Sequence, residues 1–313
     1  MLHRVLAVAL NTYRESVRAR ILLGLAGVAF AVALYSLVVG AFTLRNAPRV
    51  VSDLGVASIS IFSIAVAVVI GSTSLHRELE QKTIFPILAR PIRRGEYLLG
   101  KYLGTLLTLA VFIMADGGLV LLLSAALTGE RLAQIGGVAI VAVVGLALAM
   151  WRWPSARTFG PVPWSALLLL AGAALSGAAP DERRVVLGGC LLALLEVAIV
   201  VAVGLLFSSF SSPFLSALLT LGMVVIGREA DTLTKFPVKY FGALGPAVRE
   251  SAVALSKVVP NLHVFVPPRP LFTGEVAGAP LAPYLGMAAL TALGWSLGLL
   301  AVAGFIFKKR DFL

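Results

Sequence analysis

Residues 76–100 read HRELEQKTIFPILARPIRRGEYLLG and separate two long apolar runs of the chain. They form its most charged stretch, and Lys101 follows directly. The charged side chains are Arg77, Glu78, Glu80, Lys82, Arg90, Arg93, Arg94 and Glu96. Because charged side chains are costly in hydrocarbon, this block cannot lie in lipid. We interpret residues 76–101 as a cytoplasmic module between two membrane spans.

The composition of the whole chain is typical of a polytopic membrane protein. Of its 313 residues, 59% are hydrophobic and 13% are charged, whereas soluble domains have about 45–50% and about 25%. The net charge of +11 does not indicate nucleic-acid binding, because the basic residues are divided among short loops, as expected for orientation by cytoplasmic Lys and Arg. The single cysteine, Cys190, excludes an intramolecular disulfide framework and a multi-cysteine metal site.

Eight apolar segments are candidates to cross the membrane, since a span needs about 20 apolar helical residues. They are residues 21–43, 54–75, 102–127, 133–151, 164–179, 185–207, 214–227 and 281–307. The pair 133–151 and 164–179 is marginal, and 214–227 is short. Removing the marginal pair leaves the parity unchanged, and the distribution of Lys and Arg places both termini in the cytoplasm. We therefore predict an all-α polytopic membrane protein with an N-in/C-in orientation.

The same pattern divides the chain into segments. Residues 1–20 are predicted to form an amphipathic interfacial helix whose apolar face carries Leu2, Leu6, Ala9, Tyr13 and Val17. The other segments are spans at 21–75, 102–130, 185–227 and 281–307, a hydrophobic hairpin at 131–184, an extracytoplasmic cap at 228–280 and a cytoplasmic tail at 308–313. Within the cap, we expect a helix that begins at Pro246 and is ended by Pro260.

One part of the charged block is close to a phosphate-binding loop. Gly95 and Gly100-Lys101 have the spacing of that motif, but Tyr102 stands where a Ser or Thr would bind Mg²⁺, and a membrane helix replaces the expected context. We therefore expect no nucleotide hydrolysis and no catalytic residue in this chain. Instead, the sequence predicts two short helices around Arg90-Pro91, because proline ends the first of them. Such a rigid plug can fit a cleft on a soluble partner.

Two acidic residues, Asp116 and Glu196, lie inside apolar runs. Intramembrane carboxylates are costly and usually face a bundle interior or a wet cavity. We expect no Lys or Arg within a span to neutralise them. They indicate either a cation- or proton-sensitive pathway or buried hydrogen bonds to a serine or to the backbone of a neighbouring helix. The three histidines are scattered through polar segments, so we predict no metal site.

The charged block resembles the signature between the second and third spans of type-2 ABC exporter permeases. In that family an acidic residue, a Thr, a Leu, an Arg-Pro, an Arg and a Gly-Lys follow in order. Here these are Glu78 or Glu80, Thr83, Leu88, Arg90-Pro91, Arg94 and Gly100-Lys101. Three later segments resemble later motifs of the family, and they come in the same order. They are residues 208–220, Pro260-Asn261-Leu262 with Phe265, and the tail 307–312. The similarity is greatest to the branch with permeases of copper-enzyme maturation and gliding motility.

This resemblance implies six core spans, so that residues 131–184 are an inserted hairpin and up to eight helices cross the membrane. It implies a permease subunit that couples ATP hydrolysis to export or mechanical work. Two copies of the permease would pair, and two separate ATPase subunits would bind ATP and Mg²⁺, while this chain binds no cofactor. The coupling contacts would come from Glu78, Glu80, Thr83, Leu88, Arg90, Pro91, Arg93, Arg94, Glu96 and Lys101.

We expect a multi-pass protein of the cell's inner (cytoplasmic) membrane, in contact with lipids and not with nucleic acid. A stand-alone secondary transporter or channel is the alternative function. It gives no reason for the dense charge of residues 76–101, and it predicts paired ionisable groups at mid-membrane.

Overall fold

The computed structural model describes residues 2–43, 46–80, 93–234, 250–251, 253–254, 258–275 and 280–309. The regular structure in these ranges consists of helices, with no strand. The α-helices are α1 Leu2–Arg18, α2 Arg20–Ala41, α3 Ala47–Glu80, α4 Arg94–Ala126, α5 Leu132–Arg152, α6 Ala156–Phe159, α7 Pro161–Leu175, α8 Pro180–Ser208, α9 Pro213–Arg228, α10 Ala230–Thr234, α11 Arg269–Thr273 and α12 Leu281–Lys309. Two 3₁₀ turns occupy Ser176–Ala178 and His263–Phe265.

Seven of the described helices are long and apolar enough to cross a membrane. They are α2, α3, α4, α5, α7 with its 3₁₀ turn, α8 and α12, and α9 is a shorter apolar helix of 16 residues. The all-α polytopic membrane fold predicted from the sequence is therefore confirmed. The short predicted segment 164–179 corresponds to the observed Pro161–Ala178. The helix begins three residues earlier than predicted, because a proline can occupy the first turn of a helix.

The core of the bundle lies between α3, α4 and α8. The most apolar part of α8 is 67% buried, whereas that of α5 is only 6% buried. Helices α3 and α8 run parallel, with Ser60 beside Glu196 and Gly71 beside Gly204. A methyl group on Gly204 would lie 3.2 Å from the Cα atom of Gly71. The two backbones therefore approach closely, as small residues allow between membrane helices.

We call the two ends of the bundle the coupling end and the cap end. The coupling end holds Ser74 of α3, the first turns of α4 and the last turn of α12. Helix α1 packs on the first turns of α4, so α1 and the end of α12 lie at the same end, as the N-in/C-in prediction requires. The cap end holds the first turns of α3 and α8, which are covered by α11 and its neighbouring residues.

Helix α1 contacts α4 through a face that differs from its predicted apolar face. The buried residues of α1 are Val5, Ala9, Thr12, Tyr13 and Ser16. Leu2 and Leu6 of the predicted face are 74% and 48% exposed. Leu2 and Leu6 therefore do not pack on α4. The interfacial position of α1 stays a prediction.

The segment predicted as an inserted hairpin contains α5, α6 and α7. Helix α7 packs along α4, where a methyl group on Gly118 would lie 2.8 Å from the Leu168 backbone. Helix α5 lies outside α7, and the Trp164 indole N–H donates a hydrogen bond of 3.0 Å to the Ala142 carbonyl across them. Since α5 is exposed on nearly every side and apolar throughout, it suits a lipid environment.

Candidate functional site

The first turn of α4 is fixed by Glu96. Its carboxylate accepts a hydrogen bond of 3.3 Å from the Arg93 backbone N–H and lies 3.9 Å from the guanidinium of Arg4 in α1. An acid at the third helical position pairs with a backbone donor that the helix leaves unsatisfied, and it interacts favourably with the positive end of the helix dipole. Glu96 is buried, so it acts as an internal contact of the coupling end.

Arg94 joins the start of α4 to the end of α12. Its Nη1 donates hydrogen bonds to the carbonyls of Phe307, at 3.0 Å, and Lys308, at 2.9 Å. The last carbonyls of a helix have no partner within it, and a basic side chain can satisfy them. Nearby, the ring of Tyr97 stacks on that of Phe307 with 6.3 Å between centroids. The last turn of α12 is therefore attached to the first turn of α4 by polar and apolar contacts.

Lys101 joins α4 to α3. Its ammonium donates a hydrogen bond of 3.0 Å to the Ser74 carbonyl and lies 5.8 Å from the centroid of the Tyr97 ring. The side chain is only 1% exposed. A buried ammonium is stable only with such partners, so Lys101 holds the two helices that enter residues 81–92 from either side.

Two glycines of α4 allow α1 to pack closely. A methyl group on Gly100 would lie 2.6 Å from Cβ of Val8, and one on Gly104 would lie 2.3 Å from the Ala9 carbonyl oxygen. Such distances are too short for a side chain, so α1 would have to move. Gly100, which gives the sequence its likeness to a phosphate-binding loop, therefore serves helix packing.

Helix α1 also contacts α6. The Tyr13 ring stacks on Phe159 with 6.3 Å between centroids, and the Arg14 guanidinium lies 4.9 Å from the centroid of the same ring. Burial raises the pKa of Tyr13 to about 12, since the phenolate would lose its hydration. This contact places α6 at the coupling end of the bundle.

The structure describes some of the predicted coupling residues and not others. Four lie at the start of α4: Arg93, Arg94, Glu96 and Lys101. Two belong to the last turn of α3, and their side chains lie outside the described part: Glu78 and Glu80. Four lie wholly outside the described residues: Thr83, Leu88, Arg90 and Pro91. Arg93 is exposed at the coupling end, whereas Glu96 and Lys101 are buried.

A second polar site lies midway along α3, between that helix and α8 and α9. Arg228, the last residue of α9, donates two hydrogen bonds of 2.8 Å to the two carboxylate oxygens of Glu196. It also donates to the Ser60 hydroxyl, which donates to Glu196 at 3.4 Å. A bidentate pair of this kind fixes orientation as well as charge.

The expectation that no cation neutralises Glu196 is wrong. Arg228 directly follows the predicted segment 214–227, and α9 continues to it. Because α9 is short, its last residue reaches the middle of the bundle rather than the surface. The serine hydrogen bond that was the other interpretation of Glu196 is present as well.

A pocket of about 240 Å³ opens beside this pair on the side of the cap end. Ser60, Arg228 and Phe265 contribute to its wall, and Asp53 lies two turns of α3 nearer the cap end. The Glu196 side chain is 1% exposed and that of Arg228 is 27% exposed. A small polar group in the pocket would therefore meet the arginine and not the carboxylate.

At the cap end, Arg269 joins α3 to α8. Its guanidinium donates to the Ser52 hydroxyl at 3.2 Å, to Asp53 and to Glu182 at 3.2 Å. Sequence reasoning missed both Arg228 and Arg269. For Arg228 the available signal was a basic residue directly after an apolar segment, while Glu196 in another apolar run had no assigned partner. Arg269 stands between two prolines outside the apolar segments and carried no such signal.

Asp116 of α4 has no such partner in the described part of the chain. It is fully buried, and neither carboxylate oxygen accepts a hydrogen bond there. The neighbouring Gly117 packs against the Cys190 thiol of α8. Within the described ranges, no three His, Cys, Asp or Glu side chains come together to hold a metal ion. Among the described residues, these polar side chains attach helices to one another and include the bidentate Arg228–Glu196 ion pair.

The N-terminal part of the chain matches a known family. Residues 14–155 match the family described as ABC-2 family transporter protein. The match includes residues 76–101 and extends through α5, the first helix of the hairpin predicted as an insertion. No curated protein matches the chain, and the branch named from the sequence stays a prediction. This domain match and the confirmed membrane fold support assignment of the chain to the type-2 ABC permease family.

Proposed function

We propose that this permease couples ATP hydrolysis by a separate ATPase subunit to export or mechanical work across the membrane. The observation that carries the proposal is the construction of the coupling end. The two helices that enter residues 81–92 are hydrogen-bonded to each other through Lys101 and Ser74. Helix α4 is also attached to α1 and α12. A force on residues 81–92 would therefore act on four helices together.

The middle of the bundle holds a hydrogen-bonded group that movement of one helix along another would break. Ser60 of α3 and Glu196 of α8 meet Arg228 of α9 in one hydrogen-bonded group. A displacement of α3 along α8 would separate these groups, because hydrogen bonds weaken steeply with distance and angle. Packed interfaces of this kind change between discrete states rather than deforming continuously. The ion pair is therefore our candidate for the element that α3 switches.

The predicted coupling residues divide into two roles in this proposal. Residues that would meet the ATPase are Glu78, Glu80, Thr83, Leu88, Arg90, Pro91 and Arg93. Arg94, Glu96 and Lys101 would act by holding α4 in place, since their bonds lie within the chain. ATP and Mg²⁺ would bind to the ATPase alone.

The assembly would contain two permease chains and two ATPase subunits in the inner membrane. The coupling end would face the cytoplasm, because residues 76–101 are rich in Arg and Lys and short cytoplasmic loops carry an excess of these residues. This orientation places the pocket beside Arg228 on the extracytoplasmic side, which suits export.

Co-purification tests the proposal. The permease is expressed together with an ABC ATPase, sought first in the neighbouring reading frames, and retention of the ATPase and ATP hydrolysis are measured. We expect the wild-type pair to co-purify and the double variant Glu78→Lys/Glu80→Lys to lose the ATPase. Glu130→Lys is the matched control, because Glu130 is an exposed acid in the turn between α4 and α5 and lies at the cap end.

The proposal fails if no ATPase associates with the wild-type chain, or if the double variant retains it as well as Glu130→Lys does. Transport by the purified chain in liposomes without ATPase or ATP would instead support a stand-alone transporter or channel.

A further inference from the structure

A long groove runs between α5 and α7 and shares no lining residue with the Arg228 pocket. Its volume is about 710 Å³. Residues at helical spacing line it on α5, and a second row lines it on α7: Gly137, Val141 and Gly145, and Pro163, Leu167 and Ala171. The groove is apolar along its length, and the Trp164–Ala142 hydrogen bond holds the two helices together beside it.

The groove is longer than one leaflet of the bilayer is thick, so it has room for an acyl chain that enters from one membrane surface. From Gln134 to Ala149 it follows 16 residues of α5, a distance of about 22 Å at the rise of an α-helix. One leaflet of the hydrocarbon core is about 15 Å thick, half of roughly 30 Å. A helix about 10 Å wide and equally long would occupy about 1,700 Å³, more than twice the groove, so the shape favours a thinner occupant.

One end of the groove is positively charged. Arg152 and Arg157 are exposed there, and the Nε of Arg157 is fixed by a hydrogen bond of 3.1 Å to the Met150 carbonyl. Between Arg131 and Asp181 the sequence contains no acidic residue. Arg14 of α1, over the Phe159 ring, adds a third positive charge nearby.

Tryptophans mark the same end as a membrane interface. Trp151 and Trp153 flank Arg152 and are 80% and 58% exposed. Tryptophan is enriched at the headgroup level of bilayers because its ring is apolar with one polar N–H. Positive charge, exposed tryptophan and an adjoining apolar groove are together the complement of an anionic amphiphile.

We propose that the groove between α5 and α7 binds an acyl chain of an anionic phospholipid, with its phosphate at Arg152 and Arg157. The lipid fills the space between two helices that otherwise contact each other little, so it holds α5 on the bundle. This site does not depend on the proposed coupling to an ATPase, and its test uses the permease alone.

Tryptophan fluorescence tests the site directly, because the chain has four tryptophans and Trp164 lines the groove. A chain that keeps only Trp164 is made with Trp151→Phe, Trp153→Phe and Trp295→Phe. It is placed in nanodiscs containing brominated phosphatidylglycerol or brominated phosphatidylcholine, whose bromines quench nearby tryptophan. We expect saturable quenching at a low fraction of phosphatidylglycerol and a shallow, non-saturating response to phosphatidylcholine.

Two variants in this background distinguish the contribution of the apolar groove from that of the two arginines at its charged end. Gly145→Leu fills open space, since nothing lies within 4 Å of a methyl group there, and should abolish the saturable quenching. Arg152→Gln/Arg157→Gln should raise the half-saturating fraction of phosphatidylglycerol about thirtyfold, the effect expected of two basic residues at an anionic lipid surface. Controls are Gly222→Leu, equally open but on α9, and Arg131→Gln at the other end of the groove.

The proposal is overturned by equal quenching from both lipids, which would mean bulk lipid only. It is overturned as well if Gly145→Leu behaves like Gly222→Leu, or if Arg131→Gln has the effect expected of the arginine pair. Absence of quenching by either lipid, together with a change in oligomeric state in Gly145→Leu, would assign the groove to a second copy of the chain.

Discussion

The coupling end and the cap end of the bundle both hold helices together with basic side chains, but they use different acceptors. At the coupling end, Arg94 and Lys101 donate to backbone carbonyls of α12 and α3. On the cap side, Arg269 and Arg228 donate to the carboxylates of α3 and α8. Carbonyls carry no net charge and do not titrate, whereas carboxylates can be protonated and are screened by salt.

This difference suits an input end and an output end. Donation to carbonyls joins α3, α4 and α12 through acceptors that carry no net charge, while α1 is held on α4 by close packing and by the Arg4–Glu96 pair. Attachment through ion pairs can be made and broken more readily where one partner reaches water, as Arg228 does in the pocket and Asp53 does at the surface. The molecule thus has a firmly joined end where we propose that force enters and a breakable connection midway along α3 and α8.

The largest expected effect comes from breaking the internal ion pair. Arg228→Gln leaves Glu196 buried without a cation, and removing one member of a buried pair costs about 3 kcal/mol or more. Thermal unfolding of the purified protein measures the loss, with Arg184→Gln as control because Arg184 forms an exposed pair with Asp181. Part of the loss should return in Glu196→Gln/Arg228→Gln. Equal stability of Arg228→Gln and Arg184→Gln would contradict the assigned pair.

The next effect concerns packing at the coupling end. Gly104→Ala places a methyl group against the Ala9 carbonyl, and overpacking of this kind costs about 1–3 kcal/mol. Gly95→Ala is the matched control in the first turn of the same helix, where nothing lies within 4 Å, and it should stabilise by up to about 1 kcal/mol. If both alanines have the same effect on unfolding, α1 does not pack on α4 as described.

Salt distinguishes the two ends most sharply. Arg94→Gln should cost about 2 kcal/mol, because hydrogen bonds from a charged donor are lost, and the cost should be the same at low salt and at 1 M. Arg269→Gln should cost about 1 kcal/mol at low salt, since Asp53 is half exposed, and less at 1 M salt, where the Debye length is about 3 Å. The comparison is wrong if Arg94→Gln has the greater salt dependence.

The smallest effect is expected at the second intramembrane acid. Asp116→Asn keeps the shape of a side chain that has no hydrogen-bond partner in the described part of the chain. We expect no loss of stability, because the neutral amide costs less to bury than an unpaired carboxylate, whereas Glu196→Gln should be clearly destabilised. A large loss in Asp116→Asn would show that this carboxylate has an essential partner.

The fold was largely predictable from the sequence, because about 20 consecutive apolar residues can do little but form a membrane helix. The position of residues 76–101 outside the membrane was predictable because charged side chains are costly in hydrocarbon. Hydropathy does not report which helices are neighbours, so the partner of Glu196 could not be found from the run that contains it. Hydropathy also does not reveal that α1 packs against Gly100 and Gly104 of α4. That contact depends on how closely the two helix backbones approach each other.

Site-specific cross-linking tests the central claim that an ATPase binds at residues 81–92. Cys190 is the single cysteine and is buried, so Cys190→Ala gives a background in which Thr83→Cys can carry a benzophenone maleimide. We predict a photo-adduct with the ATPase from Thr83→Cys that changes in yield when ATP is added, and none from Glu130→Cys at the cap end. An adduct of equal yield at both positions, or none at Thr83→Cys, would contradict the account.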